Sequence, residues 1–121
     1  MKPNVAVLGA STNPERYSYK AVKMLQQYEY PAFPVHPARR PIDGVPCFGS
    51  LDEIGEKIDT ITIYLGPANS TPIIDGILRA HPRRVILNPG AESEELRRRC
   101  EEAGIEVMEA CTLVLLSTEQ F

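Results

Sequence analysis

Val5-Ala6-Val7-Leu8-Gly9-Ala10-Ser11-Thr12-Asn13-Pro14-Glu15-Arg16-Tyr17-Ser18-Tyr19 decides how the rest of this chain reads. Four apolar residues stop abruptly at a glycine, the pattern of a strand buried on both faces of a parallel sheet. Gly9 to Tyr17 is then polar. A helix follows from about Ser18, with Ala21, Val22, Leu25 and Tyr28 at helical spacing. A buried strand, a polar loop and a helix in that order open an α/β fold.

The same alternation runs through the chain. Ala32 to Val35 reads as a second strand ending at His36-Pro37, and Val45 to Phe48 as a short edge strand. Ser50-Leu51-Asp52-Glu53 has capping-box spacing, so a helix is expected there with Leu51, Ile54 and Ile58 inward. Thr60 to Leu65 is a β-branched strand closed by Gly66-Pro67. Thr71-Pro72 offers an N-cap with proline at the first helical position, ahead of Ile73, Ile74, Ile77 and Leu78. Val85 to Leu87 is a further strand, and a helix from about Glu92 stops at Gly104. Ile105 to Met108 is another strand, with Leu113 to Leu116 as a final one. The expectation is a Rossmann-like doubly wound parallel sheet of five to six strands with helices on both faces, in one domain spanning residues 1–121.

Composition narrows the function. The chain has 121 residues, 43% hydrophobic and 24% charged, with a net charge of −3, so no polyanion such as nucleic acid is expected as partner. No apolar run approaches the ~20 residues that cross a bilayer, and no signal-peptide core follows Met1, which together imply the cytosol. Cys47, Cys100 and Cys111 are an odd, widely spaced set, neither a disulfide framework nor a zinc site. Cys111 follows the last clear strand on the ligand side, where a structural thiol is the first reading and a mixed disulfide the second. Arg97-Arg98-Arg99 sits among five glutamates and reads as a salt-bridged solvent face. His81, before Pro82, reads as a helix-end contact. No Ser/His/Asp order or clustered metal ligands can be assembled, so neither catalytic residues nor a metal are expected.

In such a sheet, ligands bind beyond the carboxyl ends of the strands where strand order reverses, here between the first strand and the one at 60–65, with Gly9 to Tyr19 as one wall and Gly66 to Asn69 as the other. Gly9 permits a tight turn; Ser11, Thr12 and Asn13 are short polar groups; Arg16 is a cation; and a helix N-terminus lies beyond. That set suits a pyrophosphate, although the loop is neither Gly-x-Gly-x-x-Gly nor a Walker loop. An NAD site wants an acid at the end of the second strand, but none occurs before Asp43. Arg39 and Arg40 stand there instead, and read equally as a solvated pair or as a clamp for a phosphorylated ribose, as in coenzyme A (CoA) or NADP.

The run at 9–19 resembles that of the small single-domain bacterial CoA-binding proteins, which are similar to the CoA-binding domain at the start of the succinyl-CoA synthetase α subunit. Phe33-Pro34-Val35-His36-Pro37, Gly44-Val45-Pro46-Cys47-Phe48 and Glu101-Glu102-Ala103-Gly104-Ile105 extend the resemblance over nearly the whole chain. It implies that Gly9, Ala10, Ser11, Asn13, Arg16 and Tyr19 surround the pyrophosphate and pantetheine of CoA. It further implies that Val35, His36 and Pro37 meet the adenosine, and that Gly66, Asn88 and Gly90 border the pantetheine arm. Many relatives have Asn where this chain has His36, and a Gln-x-Gly-like turn in place of Asn88-Pro89-Gly90.

Three functions are therefore in view. The first is non-catalytic binding of CoA or acyl-CoA, as a sensor or carrier module working alone, as a homo-oligomer or with a protein partner. The second is an NAD(P)-binding redox sensor or minimal oxidoreductase. The third is a CoA-ligase-like enzyme completed by a separate subunit.

Overall fold

A computed structural model describes residues 2–121. The first strand, β1 (Val5–Leu8), is buried on both faces, as its unbroken apolar run requires. It lies between β2 (Ala32–Val35) and β3 (Thr60–Ile63), and the sheet continues through β4 (Arg84–Leu87) to β5 (Glu106–Glu109). The order β2-β1-β3-β4-β5 is parallel throughout, so β1 and β3 are the strands from which successive connections depart in opposite directions. The fold is the doubly wound α/β class, with five strands.

The alternation within each strand divides the core in two. Ala6, Leu8, Ile61, Ile63, Val85 and Leu87 pack toward one face, which is covered by α3 (Ile74–Ala80) and α4 (Glu94–Glu102). Val5 and Val7 pack toward the other, against Val22 and Leu25 of α1 (Tyr17–Gln27) and Leu116 of α5 (Thr112–Ser117). Each fully buried aliphatic side chain contributes about 1.5–3 kcal/mol, so these two layers carry the stability of the sheet. The short helix α2 (Pro67–Ser70) takes its start from Gly66-Pro67, with proline in its first turn.

Four expectations are corrected by the geometry. Leu113–Leu116 belongs to helix α5 and adds no strand; a short apolar run has no periodicity that separates the two. Val45 to Phe48 makes only isolated bridges, Val35 with Phe48 and Ile42 with Val45. Ser50 caps nothing with its side chain, and the expected helix is one 3₁₀ turn, Leu51–Glu53. The Glu53 carboxylate is taken by Arg39 and by the Gly49 N–H, 2.8 Å away, so the reciprocal capping bond does not form. Thr71 likewise caps no helix; its hydroxyl donates back to the Pro67 carbonyl at 2.9 Å, within a turn that joins α2 to α3.

The expectations for Cys100, His81 and Arg97 to Arg99 hold. Cys100 is fully buried in the core, and His81 ends α3 in the left-handed region (φ 45°) with Nε2 3.1 Å from the Ala103 carbonyl. Arg97, Arg98 and Arg99 pair with Glu101 and Glu109, with Glu102 and with Asp75. No helix among the described residues is long and apolar enough to cross a membrane.

Candidate functional site

Where β1 and β3 part, the carboxyl edge of the sheet opens into a cleft of two lobes. One, about 600 Å³, is walled by Ser11, Thr12 and Arg16 after β1, by Arg40 after β2, and by Tyr64 and Gly66 after β3. The other, about 690 Å³, is walled by Val35, Pro37, Leu51, Pro72 and Ile73. Gly9, His36, Leu65 and Asn69 line both and form the waist between them. Each lobe is within the size range of a small-molecule site.

Gly9 sets the waist. Its φ is +83°, and a Cβ there would lie 2.9 Å from Leu65 Cδ2, so a side chain would both strain the backbone and strike the opposite wall. The Gly9 and Ala10 N–H groups donate to the Val35 carbonyl, each at 3.2 Å, which ties the loop to the end of β2. Beyond, the Asn13 N–H donates to the Ser11 hydroxyl and the Glu15 N–H to the Asn13 carboxamide, both at 3.0 Å. Ser11 accepts in this contact and so keeps its own proton to donate outward. Helix α1 starts at Tyr17 with no side-chain cap and no acid in its first turn, which leaves its N-terminal field free to favour an anion.

The arginines separate into three groups. Arg39, Arg79, Arg83, Arg97, Arg98 and Arg99 all face carboxylates. Arg84 is buried, donates to the Thr60 hydroxyl at 3.0 Å and lies against the Phe121 ring. Arg16 and Arg40 have no carboxylate partner among the described residues, and both line the first lobe. Adjacent in sequence, Arg39 and Arg40 are thus divided: Arg39 holds the 3₁₀ turn through Glu53, and Arg40 faces the cleft. Asp43, the first acid after β2, pairs with Lys23 at 3.2 Å.

The second lobe is apolar inside and charged at its rim. Arg79 donates to Asp52 at 2.7 Å, joining α3 to the 3₁₀ turn across the mouth. The Arg79 guanidinium holds the Asp52 carboxyl below its usual range, and Arg39 does the same for Glu53. At the waist, His36 Nδ1 accepts from the Ala38 N–H at 3.0 Å, so the neutral ring carries its proton on Nε2. Burial is the main influence on the Tyr64 phenol and pushes it up to about 12; neither nearby threonine hydroxyl meets it at hydrogen-bond geometry. Tyr64 is therefore a neutral wall.

The structure brings together Gly9, Ala10, Ser11, Thr12, Arg16, Val35, His36, Pro37, Arg40 and Gly66 around one cleft. Asn13, Tyr19 and Arg39 line neither lobe: Asn13 shapes the turn, Tyr19 packs on the core and Arg39 braces Glu53. Asn88 and Gly90 also stand apart. Asn88 is 2% exposed; its Nδ2 donates to the Thr62 hydroxyl (2.7 Å) and the Ile63 carbonyl (2.9 Å), and its Oδ1 accepts from the Thr112 N–H (2.9 Å). The Gly90 N–H donates to Glu92 at 3.0 Å. Leu65 and Tyr64 are wall residues that the sequence reading missed, whereas Asn69 falls within the 66–69 wall it expected. Gly66-Pro67 both closes the strand and starts α2, which carries Asn69 at the cleft. Of the thiols, Cys47 and Cys100 are raised chiefly by burial, and Cys111 is half-buried at the start of α5.

A five-stranded parallel sheet with its cleft at the strand reversal defines the Rossmann-like, doubly wound α/β class. Within that class, residues 3–117 match the family model of the CoA binding domain, and the chain belongs to that family. It is 28% identical to the uncharacterized protein YneT of Bacillus subtilis over 111 residues, which is 91% of this chain and 82% of that one. A crystal structure of an uncharacterized protein superposes with a TM-score of 0.93 at 36% identity, covering 100% of this chain and 99% of the other. The fold also recurs in the dinucleotide-forming acetyl-coenzyme A synthetase 1 of Ca. Korarchaeum cryptofilum, with a TM-score of 0.74 at 21% identity over 88% of this chain and 26% of that one.

Proposed function

We propose that this protein binds coenzyme A, free or acylated, in the two-lobed cleft, without catalysing a reaction, as a sensor or carrier module. The observation that carries this reading is the convergence of Arg16 and Arg40, the exposed arginines without carboxylate partners, on a lobe that also presents Ser11 and Thr12. Phosphates there would gain charge-assisted hydrogen bonds and the field of the α1 N-terminus. The adenosine occupies the apolar lobe between Val35 and Ile73, its ribose passing the waist at His36. Arg40, on the loop that follows His36, is the group placed to meet a ribose phosphate.

NAD fits this cleft less well. Its ribose hydroxyls need an acid at the end of β2, and Asp43 is engaged with Lys23. A module acting beside a separate catalytic chain is a second reading; it draws on the likeness to the Korarchaeum synthetase, of which this fold matches 26% of the length. Calorimetric titration with CoA, NAD and NADP separates the cases. CoA is expected to bind one to one and more tightly than either dinucleotide, whereas preference for NAD would overturn the proposal.

A further inference from the structure

Between Phe48 and Lys57 the backbone is bonded to no other segment. Phe48 is tied down at one end, donating to the Pro34 carbonyl at 2.9 Å and accepting from the His36 N–H at 2.8 Å. At the other end the Lys57 carbonyl accepts from the Asn4 carboxamide at 2.8 Å. Among the described residues, 49–56 makes backbone–backbone hydrogen bonds only within its own 3₁₀ turn, from Glu53 to Ser50 and from Ile54 to Leu51. A single 3₁₀ turn is too short to persist alone. Side chains hold it instead. Leu51 and Ile54, each 9% exposed, are the shallowest members of their buried core cluster, and two arginines grip the turn. Arg39 reaches Glu53 by lying across Gly49, where a Cβ would be 2.5 Å from the guanidinium. Arg79 reaches Asp52 from α3 with two hydrogen bonds, Nη2 to Oδ2 at 2.7 Å and Nε to Oδ1 at 3.3 Å. This second pair bridges the apolar lobe, which has Ser50 and Leu51 on one side and Pro72 and Ile73 on the other. Both of its partners are more than half exposed, so the pair is weak and sensitive to salt.

We propose that residues 49–55 form a lid on the apolar lobe and that the Arg79–Asp52 pair is its latch. With the latch released, the turn loses one of its two clamps and swings away from α3. Gly49 and Gly55 bound the moving segment, and Gly55 has open space where a Cβ would stand. Phe48 and Lys57 keep their bonds, so the opening is local and uncovers the lobe above Leu8 and Ile73. The lid is a property of the free protein; only its part in admitting CoA rests on the reading above.

Amide hydrogen exchange on the ligand-free protein reads the lid through the Gly49, Glu53 and Ile54 N–H groups, whose acceptors all lie within 50–53. Asp52→Asn and Arg79→Gln are each expected to speed exchange there by about threefold, with the amides of β1 and β3 unchanged. Combining Asp52→Arg with Arg79→Asp reverses the pair and is expected to slow exchange again. Exchange at these amides that matches the sheet amides, or that neither single variant alters, would overturn the lid. Stopped-flow binding of CoA tests the gating: each single variant is expected to speed association and dissociation together, by about threefold. Arg79→Gln separates gating from attraction, because losing a cation would by itself slow the approach of an anion. Slower association in that variant would overturn the gate. If CoA does not bind at all, the parent reading fails, and the exchange rates still decide the lid.

Discussion

The loop after β1 and the turn after β4 lie on the same sheet edge with β3 between their strands, and both combine glycine, asparagine and proline. Their side chains go opposite ways. In the first, Asn13 bonds only to its own loop, Ser11 keeps a donor, and Arg16 and the start of α1 are left without anionic partners. In the second, Asn88 turns inward and joins β3, β4 and α5 through three hydrogen bonds. Similar compositions thus yield a receptor in one place and a brace in the other. What decides is whether buried neighbours such as Thr62 and Thr112 compete for the polar groups.

Substitutions can break this contrast, and the largest effect is expected at Ser11. Ser11→Tyr fills the cationic lobe, so calorimetry should show CoA binding reduced by at least about a hundredfold, with an unchanged melting profile. Asn88→Ala should do the converse. It orphans the Thr112 N–H and removes one donor each from the Thr62 hydroxyl and the Ile63 carbonyl, and denaturant titration should show about 2–4 kcal/mol of lost stability. Among the arginines, Arg40→Ala should weaken CoA by about tenfold and leave dephospho-CoA nearly unaffected, whereas Arg39→Ala should change either affinity by less than about twofold. Equal losses for CoA and dephospho-CoA in Arg40→Ala would remove that arginine from the ribose phosphate.

The smallest effect is that of acid on the rim of the apolar lobe. Asp52 and Glu53 are lowered in the folded protein chiefly by hydrogen bonds from Arg79 and Arg39. Their contribution is full above the unfolded carboxylate values, about 3.9–4.3, and is lost as pH falls through the lower folded values. Both pairs are exposed, so the shift in melting temperature across that window should be modest, and Asp52→Asn should reduce it.

The sheet was legible because β1 and the 85–87 part of β4 appear as short apolar runs buried on both faces, and β3 as a run of β-branched residues. Leu113–Leu116 has the same appearance and is helical, since nothing in four apolar residues records period. The capping box at Ser50 failed for a different reason. Glu53 is claimed by Arg39, fourteen residues earlier, and local spacing carries no information about such a partner. The first loop of the site was readable from its residue types. Tyr64 and Leu65 were not, because they read only as the end of the 60–65 strand and no local pattern turns them to the cleft. The separation of Arg39 from Arg40 likewise needed the position of Glu53.

Amide chemical shifts followed during CoA titration of the protein test the central claim most directly. Perturbations are expected at residues 9–16, 36–40 and 64–69, with the amides of Asn88, Gly90 and Ala91 nearly unmoved. Shifts centred on 88–91, with the 9–16 loop silent, would contradict the assignment of receptor and brace.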